Sequence, residues 1–216
     1  QQPFRFPLTQ DPRNAIYPAD LEHARHLLDR VRVRAEELGG PTLDTMRRDC
    51  LLLESLLLTD SAAAVATAES ALALARSSYD QAQGSAYVAM AHWRNSDHPA
   101  ALASARAGMK DLLKLTGPDE RSDEGLRAWL LSLSICALVG LGKVEEAGLK
   151  LKRTLADAGL SPHHQVILRS FGDAVEAVGE RTSLPDDLLP LDGSVAREMR
   201  LPDELVANWL VNNRQA

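Results

Sequence analysis

The run Leu131-Ser-Leu-Ser-Ile-Cys-Ala-Leu-Val-Gly-Leu-Gly-Lys-Val-Glu-Glu-Ala147 constrains the fold more than any other stretch of the chain. An apolar helix ends at Gly140-Leu-Gly142, where glycine supplies a turn geometry that other residues resist. A second helix follows at once, with Glu145 and Glu146 in its first turn to complement the helix dipole. A tight helical hairpin of this kind cannot bury its own apolar faces, so it predicts neighbours of the same kind. The composition supplies them: only 4% of residues are aromatic, and Ala and Leu dominate blocks such as residues 61–75. That is helical composition, and no strand pattern interrupts it. The expected class is all-α.

With 216 residues, the chain has enough material for one sizeable helical domain or two small ones. A net charge of -6 gives no global attraction to phosphate backbones or anionic lipid, so a nucleic-acid role would need a local basic patch. Cys50 and Cys136 each lie in a Leu-rich helical run and read as buried free thiols. No segment approaches the roughly 20 apolar residues of a membrane helix, so no membrane association is expected. The first residue is Gln, which reads as a processed or trimmed chain; the cytoplasm is the default location, with a removed targeting segment left open.

Three prolines among the first twelve residues predict an extended arm over 1–17, either a linker or an arm docking Phe4 and Phe6 on the body. Pro18 to Leu38 is amphipathic, and Gly39-Gly40-Pro41 stops it. His23 and His26 on this helix read as part of a solvated face, because no third metal ligand is near. Thr42 opens a helix that is apolar on nearly all sides, and Thr59-Asp60-Ser61 offers capping side chains for a second one lined by Ala64, Ala68 and Ala71. A second hairpin pairs Asp80 to Arg94 with Pro99 to Leu115, where Ala101, Ala105 and Gly108 repeat the small-residue face. The third, starting near Ser122 or Asp123, is the opening stretch, and a closing helix spans about Pro162 to Val178. The helical domain is thus 18–180, and 181–216 is a linker with a short C-terminal helix pair.

Gly142-Lys-Val-Glu-Glu-Ala147 and the small residues of the second helices resemble tetratricopeptide (TPR) units, helix pairs of about 34 residues each. The resemblance covers about residues 42–180 and is degenerate. Spacings between Ala64, Ala101 and Ala147 are unequal, and of Leu52, Ala89 and Ile135 only Ala89 is small. It implies a right-handed α-solenoid of antiparallel hairpins whose first helices line a concave groove. Groove residues would include Met46, Asp49, Leu53, Met90, Trp93, Arg94, Trp129 and Ser132, a composition suited to a peptide hot spot. Equally, Trp93 and Trp129 could fill space between helices. A protein or peptide partner, a second copy in a homodimer, or the Phe4/Phe6 arm would cover such a groove.

Residues 195–214 are similar to the last two helices of a homeodomain, with Trp209, Leu210, Asn212 and Arg214 at the matching positions. That resemblance implies a transcription regulator reading DNA with Asn208, Asn212 and Arg214. The charge opposes it: from Val195 to Ala216 three arginines face three acids, which leaves no surplus of cations for phosphate contacts. No catalytic constellation is visible. No glycine-rich loop follows a strand, the neighbours His163 and His164 point apart on a helix, and Asp186 and Asp187 read as turn acids. The expectation is a non-enzymatic interaction scaffold or adaptor without a cofactor.

Overall fold

The computed structural model describes residues 18–58, 60–115 and 124–156, together with residues 165, 168 and 169. Every regular element among them is an α-helix: α1 (Pro18–Leu38), α2 (Gly40–Leu57), α3 (Ser61–Ala73), α4 (Ser78–Arg94), α5 (His98–Leu112), α6 (Glu124–Gly140) and α7 (Val144–Leu155). The expected N-terminal arm, the body of the closing helix and the C-terminal helix pair lie outside the described residues, and with them Asn208, Asn212 and Arg214.

Local chemistry sets the helix ends. Gly39 and Gly40 both take positive φ, and Pro41 fits the first turn of α2, so this helix begins two residues before Thr42. Asp60 accepts from the Ala63 amide and Asp97 from the Ala100 amide; each such cap is worth about 1 kcal/mol. Ser77 and Asp80 form a capping box, which starts α4 at Ser78 rather than at Asp80. The Gly140-Leu-Gly142 turn closes with two bonds, Gly142 N–H to the Val139 carbonyl and Lys143 N–H to the Leu138 carbonyl, with Gly142 at φ 73°. The end of α4 repeats this motif: Ser96 N–H donates to Trp93 and Asp97 N–H to His92, with Ser96 at φ 58° where glycine would be favoured.

The three hairpins share a local plan. In each, the second helix starts four residues after the first ends (57 to 61, 94 to 98, 140 to 144). Each second helix then buries a stripe of the same spacing: Ala64, Ala68 and Ala71; Ala101, Ala105 and Gly108; Ala147, Leu151 and Thr154. Short side chains there let helix axes approach. A Cβ on Gly108 would stand 2.8 Å from Leu130 of α6 and 3.0 Å from Ser85 of α4.

Each helix packs against the next in the chain, α5 against α6 included, although the residues that connect those two are not described. The first helices also touch in a row, α2 on α4 and α4 on α6. The main core gathers Ala82, Ala86, Ala89 and Trp93 of α4, Ala101 and Ala105 of α5, and the length of α6 from Leu126 to Val139, with Leu168 fully buried among them. Residues 130–139 of α6 are all buried, as a helix apolar on every side requires. α1 closes the other end against α2 through Leu28, Cys50 and Leu57, reinforced by an Arg32–Glu54 ion pair. No described helix is long and apolar enough to cross a membrane.

Candidate functional site

The row of first helices presents a mixed polar and aromatic face. On α4, Gln83, Tyr87, Met90 and Arg94 recur at i, i+4, i+7 and i+11, and all four keep some exposure while the opposite side of the helix is buried. Arg48 enters from α2. Its side chain is almost wholly buried and meets three partners: Asp49 at 2.7 Å, Gln83 at 3.3 Å, and Asp80 in a close ion pair. A buried guanidinium needs a counter-ion, which Asp80 chiefly supplies, because an unpaired charge there would cost several kcal/mol. The network ties α2 to α4 and leaves the Asp49 carboxylate half exposed.

Across the next seam Tyr87 of α4 meets Trp129 of α6 edge to face, with centroids 5.0 Å apart and planes at 82°. Such a pair contributes about 1 kcal/mol beyond area burial. Burial raises the Tyr87 phenol above its ordinary value, and the Asp49 charge adds to the rise. The Arg48 network across α2 and α4 and the Tyr87–Trp129 pair across α4 and α6 therefore link the three first helices in turn.

Of the residues expected to line a groove, Asp49 and Arg94 are exposed and Met90 and Trp129 are half-buried. For Trp93 the space-filling alternative holds, and for Ser132 the groove placement is corrected. Trp93 is 2% exposed, because it shares the α4 face of Ala82, Ala86 and Ala89 that packs into the main core. Its indole N–H has no hydrogen-bond partner among the described residues. Ser132 is buried within α6 and returns its hydroxyl to the Ala128 carbonyl at 2.9 Å, the usual way a mid-helix serine is satisfied. Neither can touch a partner. Leu53 likewise turns toward α1. Arg48, Gln83 and Tyr87 were missed in the sequence; the i, i+4, i+7 stripe that ends at Arg94 was the signal that would have found the last two.

The face offers a carboxylate, an amide, a phenol and a guanidinium, groups that recognise a chain by hydrogen bonds and charge. Among the described residues no three His, Cys, Asp or Glu side chains are grouped to hold a metal. Cys50 and Cys136 are buried thiols outside any disulfide, and burial pushes the Cys50 thiol up. No known protein family, curated protein or solved structure matches the chain.

Proposed function

We propose that this chain is a non-enzymatic interaction module, a TPR-like right-handed array of helix hairpins that binds a peptide segment of a partner protein along the face of α2, α4 and α6. The observation that carries the reading is the series of side-chain contacts Arg48–Gln83 and Tyr87–Trp129, which links three successive first helices along one face. In arrays of this kind the first helices form the concave side. The shared turn length and buried stripe of the three hairpins support the same plan. Asp49 and Arg94 supply opposite charges on a surface otherwise lined by Met90, Tyr87 and Trp129, which suits an extended segment with an apolar anchor.

Panning a random peptide library on the immobilised intact chain tests this. Enriched peptides should shift the NMR resonances of Gln83, Tyr87 and Trp129. Arg94→Glu and Asp49→Asn, both at exposed positions, should weaken binding, the former about tenfold or more, while leaving circular dichroism unchanged. Peptides that bind these variants as well as the parent would refute the reading, as would a library that yields none.

A further inference from the structure

On α6 the side chains Arg127, Leu131 and Leu138 stand two residues before, two after and nine after Trp129. At about 100° per residue each lies within about 20° of the helix side opposite Trp129. That side does not face the α2–α4–α6 surface. It forms the floor of a separate cleft of about 380 Å³, flanked by Leu102 and Arg106 of α5 and by Glu146, Leu149, Lys150 and Arg153 of α7.

The cleft's charge runs against that of the whole protein. In a chain of net charge -6, the described residues lining it set the cations Arg106, Lys150 and Arg153 against the single acid Glu146, with Arg127 on the floor. Cations do not gather this way for stability: burial lowers the Lys150 ammonium below its ordinary value, and the neighbouring Arg106 lowers it further. Glu146 offsets part of the crowding. Its carboxylate lies 3.5 Å from Arg106 across the cleft and 3.8 Å from Lys143. The cleft thus already holds one carboxylate in the manner it would hold others.

The floor is apolar. Leu102, Leu131 and Leu138 are buried at its base, whereas Leu149 on the rim is 51% exposed with no helix over it among the described residues. An enclosed metabolite pocket buries most of its ligand, but here the rim residues Arg106, Glu146 and Leu149 are all half-exposed or more. Such a cleft fits a side chain or two of a longer partner, with carboxylates over the rim.

We propose that the cleft between α5, α6 and α7 is a second docking site, which takes an acidic peptide segment of a partner protein with an apolar residue between its carboxylates. That apolar residue enters over Leu131 and Leu138, Leu149 covers it, and the flanking carboxylates reach Arg106, Lys150 and Arg153. None of the residues of the α2–α4–α6 face takes part.

The test uses the intact chain and a fluorescein-labelled peptide, Gly-Ser-Asp-Glu-Leu-Asp-Glu-Leu-Ser-Gly, followed by anisotropy at about 50 mM and about 500 mM salt. Saturable binding is expected, weakening at least about tenfold at the higher salt and for the Lys150→Glu/Arg153→Gln double variant, whose circular dichroism should match the parent. Leu149→Ser, or serine in place of the peptide leucines, should also weaken binding. Three results would overturn the proposal: no binding at the lower salt, undiminished binding to the double variant, or displacement by free glutamate at equal carboxylate concentration, which would mark a small-anion site. Loss of binding on Arg94→Glu would place the peptide on the other face and overturn it too.

Discussion

Gly108 and Gly148 each occupy the interior of a helix, α5 and α7, and the same substitution to alanine should act on them with opposite sign. Exchange of a helical glycine for alanine gains about 1 kcal/mol from lost backbone freedom in the unfolded chain. At Gly148 that gain is unopposed, because an added Cβ meets nothing within 4 Å. At Gly108 the Cβ would stand 2.8 Å from Leu130 Cδ2, 3.0 Å from Ser85 Cβ and 3.1 Å from the Ala82 carbonyl oxygen. Leu130 can rotate away, but the α4 contacts include backbone and can yield only by moving the helix. Overpacking of this kind costs about 1–3 kcal/mol, so the net effect at Gly108 is a loss of about 1 kcal/mol. The two variants should therefore differ by about 2 kcal/mol, or several degrees in Tm for a chain of this size. Urea melts followed by far-ultraviolet circular dichroism measure both. A Gly108→Ala protein as stable as the parent would refute the claim that α5 is clamped between α4 and α6, and a Gly148→Ala protein without a gain would refute the ledger itself.

Ser96→Gly should stabilise the protein by about 1 kcal/mol, since Ser96 holds φ 58° in a motif whose other copy uses Gly142; a raised urea midpoint checks it. Asp80→Asn should cost about 3 kcal/mol, because it strips the buried Arg48 of its closest counter-ion and weakens the α4 capping box, whereas Asp49→Asn at a half-exposed position should cost under about 1 kcal/mol. His98 covers Gly140 at the α5–α6 seam, and burial lowers its imidazole below the ordinary value, with Asp97 opposing. The unfolded chain then binds the proton more readily, so this contribution to stability is intact above about pH 6.5 and declines as the pH falls below it. His98→Gln should flatten the pH dependence of the urea midpoint between about pH 7.5 and about pH 5.5; an unchanged slope would count against the assignment.

The sequence by itself determined the helices. Ala/Leu composition, glycine pairs and capping residues are local signals, and helix existence is decided within one or two turns; α1 ends where Gly39 and Gly40 require and α7 starts with Glu145 and Glu146 in its first turn. The small-residue stripes of the second helices were equally legible, because a 3.6-residue period reports which side of a helix meets another. The side on which a large residue ends was not legible. Met90, Trp93 and Arg94 fall within one and a half turns of α4, and sequence left Trp93 open between groove and core; packing against α5 and α6 puts it in the core and leaves Arg94 in solvent. Arg48 looked like any charged residue until Asp80 and Gln83, more than thirty positions away, surrounded it. The α5–α6–α7 cleft is likewise a product of tertiary structure alone. Arg106, Arg127, Lys150 and Arg153 are unremarkable in an acidic chain, and only the docking of three helices gathers them over one apolar floor. Period and capping energies are properties of neighbours in sequence, whereas a site's charge and shape are sums over residues that only the packed helices bring together.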